Sequence, residues 1–135
     1  RYILVEFAFN EDSIEMNSCL EQIFAEGLTP VIAHPERYEC VQSEAGLAEA
    51  MVNKGALLQM NKGSLFRRYG EYAQDTVMEL LARHYITFVG SDAHHIRYRT
   101  PLMGDAYDLV SEQFGRSYAE AIFRTNAEQL LGIRI

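Results

Sequence analysis

The stretch Ala56–Gly90, "ALLQMNKGSLFRRYGEYAQDTVMELLARHYITFVG", holds one full cycle of an alternating pattern. It opens on a short apolar run, "ALLQMN", and passes through a polar tip, "KGSLFRRYG". It continues as "YAQDTVMELLARH", whose apolar residues recur at a period of about 3.6, and closes on a second apolar run, "YITFVG". The rhythm extends upstream. "YILVEFAF" precedes the amphipathic "IEMNSCLEQIFAEG", with Asp12 or Ser13 as its N-cap and Gly27 as its stop. "TPVIAH" precedes the tip "HPERYE" and the helical "EAGLAEAMVNKG", which ends at Gly55. Downstream, "SDAHHIRYRTP" tips the fourth run. Beyond Pro101 the pattern is helical: "LMGDAYDLVSEQF" and "SYAEAIFR", separated by Gly115, then a closing turn at "NAEQLLG". Four strands alternating with helices predict an α/β fold with a parallel sheet, in a barrel or a doubly wound arrangement.

With 135 residues, 48% of them hydrophobic and 23% charged, the chain is sized for a single core and not for two. The net charge of −7 and the absence of any Lys/Arg run exclude a general nucleic-acid or anionic-membrane surface. No apolar run approaches the roughly 20 residues of a spanning helix, and "RYILVEFAF" lacks the features of a signal peptide. A soluble, cytoplasmic chain without membrane insertion is expected. Residue 1 abuts a strand-like run with no lead-in, as in a chain cut from something longer. Cys19 and Cys40 lack C-x-x-C spacing and are expected to be reduced. Neither "CLEQIFA" nor "CVQSEAG" supplies the arginine of a C-x5-R phosphate cradle, so a thiolate route to phosphate ester cleavage is closed.

In both parallel architectures ligands gather at the C-terminal ends of the strands. That rule brings His34, Asn61, Asp92 and His94 to one rim. Glu6, flanked by Val5 and Phe7, reads as a carboxylate inside an apolar strand, where an unpaired charge costs several kcal/mol and calls for a cation. Each residue also has a plainer reading: Glu6 at a wet edge, His34 in a turn before Pro35, Asp92 as an N-cap. Several strands delivering metal-competent side chains to the same end favour the joint reading. Imidazole and carboxylate without thiolate suit Mn, Fe or Zn better than Ca. His84, in the last turn of a helix, and His95, pointing away from His94 in an extended loop, are left out. Arg37, Arg97 and Arg99 lie in the same tips, and a guanidinium fork grips phosphate in two places. Metal ligands beside arginines point to metal-assisted hydrolysis of a phosphate ester.

The segments "VIAHPERY", "GALLQMNKGSL" and "FVGSDAHHIRYRTPLM" resemble the polymerase and histidinol phosphatase (PHP) family, in particular its bacterial capsule-locus tyrosine-protein phosphatases. The resemblance spans nearly the whole chain. It implies the C-terminal part of a distorted (β/α)7 TIM-like barrel, with up to three Mn, Fe or Zn ions in the complete domain. It implies Glu6, His34, Asp92 and His94 as metal ligands, and Arg37 and Arg99 as catalytic phosphate-binding residues; Arg97 has no counterpart. His95 falls where these phosphatases usually carry asparagine. The implied activity is phosphotyrosine hydrolysis in capsular or exopolysaccharide biosynthesis. The implied partner is a phosphotyrosine protein, a bacterial tyrosine kinase of the polysaccharide export system, and homo-oligomers are compatible with it. The family's H-x-H motif and the acidic residues that precede the Glu6 strand are not in this sequence, so residues 1–135 are expected to form a partial domain and, alone, a poor enzyme. Two other readings stay open: a sister PHP phosphoesterase acting on histidinol phosphate or a nucleotide, and a catalytically silent binding module.

Overall fold

The computed structural model describes residues 1–91 and 101–132. The four apolar runs form β1 (Tyr2–Val5), β2 (Thr29–Ala33), β3 (Leu57–Asn61) and β4 (Ile86–Gly90). They make one parallel sheet in the order β1-β2-β3-β4. Val5 pairs with Ile32, Ala33 with Gln59 and Asn61 with Gly90, so the C-terminal ends of the strands lie side by side. Residues Pro30 to Ala33 of β2 are all buried, as expected of an inner parallel strand covered on both faces. β1 differs from the buried strand its composition suggests. It is an edge strand, with Tyr2, Ile3 and Leu4 exposed.

Helix α1 (Ser13–Ala25) begins at Asp12, whose carboxylate accepts the Glu15 N–H at 2.8 Å and so satisfies one of the orphan donors of the first turn. Met16 and Leu20, four residues apart on its inner face, are fully buried. After β2 come a 3-10 turn (Pro35–Arg37), α2 (Glu39–Ser43) and α3 (Leu47–Asn53). The single helix expected over residues 44–55 is shorter than its pattern, because Gly46 takes a left-handed φ of 86° and α3 can begin only after it. A second 3-10 turn (Lys62–Phe66) leads to α4 (Glu71–Ala82), which buries Ala73, Val77, Leu80 and Leu81 along one stripe. α5 (Pro101–Phe114), α6 (Arg116–Glu120), a π-helical turn (Ala121–Thr125) and α7 (Asn126–Leu131) complete the described chain.

The last segments brace β4. Tyr118 Oη accepts from Ile86 N and donates to Ile86 O, and Asn126 Nδ2 donates to the Thr87 carbonyl at 2.9 Å. Thr87 is the extra residue where the register slips: Leu58 pairs with Ile86, but Gln59 pairs with Phe88. Side chains thus satisfy backbone groups where the ladder is irregular. One continuous core joins α1, the inner strands, α3, α4, α5 and the π turn, through residues such as Leu20, Ile32, Met51, Leu58, Val77 and Ile122. Among the described residues no helix is long and apolar enough to cross a membrane.

Candidate metal and phosphate site

Glu6 stands one residue beyond the end of β1, and its side chain is 66% exposed. The expectation of a carboxylate buried inside an apolar strand is therefore corrected: the strand ends at Val5 and no desolvation penalty demands a cation there. What remains is geometry. His34 leaves the C-terminal end of the neighbouring β2, and its Nε2 lies 3.1 Å from Glu6 Oε2. Parallel pairing brings the two together, since Val5 and Ile32 are in register.

The backbone at His34 is strained. Its φ of 36° and ψ of 58° put a non-glycine residue in the left-handed region directly before a proline, at a cost of about 1–3 kcal/mol. Neighbours hold it there. His34 N donates to the Gln59 carbonyl at 2.7 Å, and the His34 carbonyl accepts from Arg37 N at 3.0 Å. The imidazole packs near Phe9 and Tyr38, with ring centroids 5.6 and 5.4 Å away. Its Nδ1 is buried with no hydrogen-bond partner among the described residues. The nitrogen that faces Glu6 is the other one, Nε2, and the orphaned Nδ1 points away from that pair into the protein.

The donor pair fits a metal ion. Two ligands sharing one ion at bonds of about 2.0–2.2 Å sit roughly 3.0–3.5 Å apart, and the 3.1 Å between Oε2 and Nε2 falls in that range. Among the described residues no third His, Cys, Asp or Glu joins them to make a larger group. β4 ends at Gly90, opposite Asn61 and at the same end of the sheet. Asp92, His94, Arg97 and Arg99 follow it in sequence, but they and His95 lie outside the described residues. His84 stacks on Tyr118 at 4.0 Å, beside the start of β4, and so belongs to the opposite end. There it lies beyond the last turn of α4 with φ 59° and donates its N–H to Leu81 O, a left-handed cap and not a helical residue.

The remaining residues of "HPER" divide the work. Glu36 is fully buried, and its Oε2 accepts from Asn61 N at 2.9 Å and from Ser64 Oγ at 2.6 Å. Burial pushes its carboxyl up, and the bonds from Ser64 and Asn61 offset this only in part. Glu36 therefore fastens the tip of β2 to the tip of β3. Asn61, expected at the rim, also caps the turn that follows it, its Oδ1 accepting from Gly63 N. Arg37 is half-buried, and its guanidinium carbon lies 4.3 Å from the Phe9 ring centroid and 3.8 Å from that of Tyr69. Tyr38 is buried, with its hydroxyl accepting from Phe7 N at 3.0 Å. Burial pushes that phenol up to about 12. The sequence reading singled out neither Glu36 nor Phe9 nor Tyr69. Adjacency to His34 and Arg37 was the available signal for Glu36, whereas the two aromatics carried none.

Comparison with known proteins places the chain in a family. The family model described as capsular polysaccharide synthesis, CpsB/CapC, matches residues 1–132. Tyrosine-protein phosphatase YwqE of Bacillus subtilis is 33% identical, over 97% of this chain and 51% of its own length. Tyrosine-protein phosphatase CpsB of Streptococcus agalactiae serotype V is 27% identical, over 97% of this chain and 56% of its own length. The solved structures of YwqE and of CpsB from Streptococcus pneumoniae, described as unique metal-dependent tyrosine phosphatases, include a chain that superposes with a TM-score of 0.74 at 31% identity. That match covers 87% of this chain and 48% of the other. The chain thus spans about half the length of the curated relatives it matches. With a family match over nearly its whole length, the chain belongs to the capsular polysaccharide synthesis CpsB/CapC family.

Proposed function

We propose that this chain forms part of a metal-dependent protein-tyrosine phosphatase that hydrolyses phosphotyrosine monoesters in the control of capsular or exopolysaccharide synthesis. The observation that carries the reading is the convergence of Glu6 Oε2 and His34 Nε2 at 3.1 Å, with Arg37 three residues further on in the same tip. Glu6 and His34 would hold an ion of the Mn, Fe or Zn class, joined by Asp92 and His94. Such an ion lowers the pKa of bound water and neutralises charge on phosphate. The chain's own residues do the rest. Arg37 and Arg99 present N–H donors to the phosphate oxygens, and Glu36 holds the tip that carries both His34 and Arg37.

The strand order supports a barrel sector. Four parallel strands follow one another without the reversal that marks a doubly wound sheet. We read residues 1–135 as a partial PHP domain whose remaining ligands lie outside this sequence. The half-length match to the relatives and the bare β1 edge support this. The substrate would be a cytoplasmic phosphotyrosine protein, a tyrosine kinase of the polysaccharide export system, as the family's link to capsule synthesis suggests.

The test is hydrolysis of a phosphotyrosine peptide by this chain, alone and mixed with the portion of YwqE it does not match. Chelator-sensitive turnover restored by Mn is expected, strongest in the mixture. Arg37→Ala should lower kcat/KM by about 10²-fold, the scale of losing one strong oxyanion donor. Cys19→Ser with Cys40→Ser should leave the rate nearly unchanged. Turnover indifferent to chelator, or lost in the serine pair, would defeat the reading, and preference for histidinol phosphate or a nucleotide would transfer it to a sister activity.

A further inference from the structure

Arg37 is held in a way that a simple surface arginine is not. Its guanidinium carbon lies over two aromatic rings, 4.3 Å from the Phe9 centroid and 3.8 Å from the Tyr69 centroid. The rings come from different elements. Phe9 belongs to the loop between β1 and α1, where its carbonyl accepts from Glu39 N at 2.9 Å. Tyr69 lies between the second 3-10 turn and α4. Its ring rests against Gly63, where an added Cβ would come within 3.2 Å of Tyr69 Cε2 and 2.9 Å of Arg68 Cδ. Its hydroxyl is buried without a hydrogen-bond partner among the described residues, so stacking, not the hydroxyl, keeps the ring in place. Phe9 also touches the His34 ring side, at 5.6 Å between centroids, and so spans the candidate metal ligand and the candidate phosphate ligand.

A guanidinium binds through N–H groups that all lie in its plane, whereas its faces offer only π contact. Contact with two rings restricts rotation of the guanidinium and leaves its N–H edge to the oxyanion, the direction that allows two parallel hydrogen bonds. The rings also attract the cation itself. We propose that Phe9 and Tyr69 are positioning residues for phosphate capture, holding the Arg37 guanidinium by contact with both rings so that its N–H donors are set toward the phosphate before substrate arrives. The proposal rests on the reading of Arg37 as a phosphate ligand. It adds that the aromatic pair, and not the arginine alone, sets the affinity.

The experiment is a titration of metal-free protein with inorganic phosphate, followed by the amide resonances of the β2 tip in 15N–1H NMR spectra. Phe9→Leu and Tyr69→Leu are each expected to weaken phosphate binding about fivefold to tenfold, the range of a partly desolvated cation–π contact. Tyr69→Phe and Phe9→Tyr, which keep the ring, should stay within about twofold of the parent. In an Arg37→Ala background the leucine substitutions should add less than about twofold, because the group they position is gone. Equal losses with and without Arg37, or full affinity in both leucine variants, would overturn the proposal while leaving Arg37 as a phosphate ligand. If Arg37→Ala alone leaves phosphate affinity unchanged, the phosphate role of Arg37 falls, and the positioning role with it. Should Phe9→Leu fail to fold, the Tyr69→Leu and Tyr69→Phe pair decides alone.

Discussion

Glu36 shows how a residue with no ligand of its own can fix the geometry of those that have one. Its carboxylate receives the Asn61 N–H and the Ser64 hydroxyl inside the core, and removing it strands both donors. Glu36→Ala is expected to cost about 2–4 kcal/mol, measured by denaturant unfolding, because each buried donor left unpaired costs about 1–3 kcal/mol. Glu36→Gln keeps an acceptor oxygen and should lose less than half as much. Equal losses in the two variants would mean that shape, not hydrogen bonding, is what the site requires. At this scale the sequence was legible where chemistry announces itself. "HPER" stands out as a polar tip on an apolar strand, and the structure does put His34 and Arg37 at the C-terminal end of β2. Phe9 and Tyr69 do not stand out. An aromatic residue in a loop looks the same in sequence whether it stacks on a guanidinium or faces water, and only the fold brings residues 9, 37 and 69 together.

The elements were legible wherever periodicity ran uninterrupted. All four strands and the stripes of α1 and α4 follow from it, since the side chains that repeat are those that bury. The departures have local causes. Gly46 in the left-handed region shortened α3, and β1 proved exposed because an apolar run in an edge strand reads like one in a central strand. Glu6 moved from inside that strand to just past it for the same reason: periodicity does not mark where pairing stops. The bracing of β4 by Tyr118 joins elements 32 residues apart and left no trace in the pattern. It does make a prediction. Burial pushes the Tyr118 phenol up to about 12 from its ordinary value of 10.0. The folded state therefore holds this proton more tightly than the unfolded chain does. The resulting stability is fully present below pH 10 and is lost as pH rises toward about 12. Thermal melts should show part of the alkaline fall in Tm removed by Tyr118→Phe, with a lower Tm at pH 7 because Ile86 N and O lose their partner. An unchanged Tm at pH 7 and an unchanged alkaline slope would show that the Tyr118 contact contributes nothing to holding β4.

At the scale of the molecule, a parallel sheet places the ends of its strands at one rim, and this chain has put an acid, an imidazole and a stacked arginine there. The four strands run parallel in the order β1-β2-β3-β4, and the chain shares its α/β fold with a solved chain of the metal-dependent tyrosine phosphatases YwqE and CpsB. The proposed holding of a metal ion between Glu6 and His34 can be read in a calorimetric titration of the 135-residue chain with Mn. Wild-type chain is expected to bind Mn, and His34→Ala and Glu6→Gln are each expected to weaken that binding at least about tenfold, the scale on which even supporting residues of metal sites act. Absence of Mn binding by the wild-type chain, or equal binding by all three proteins, would contradict it.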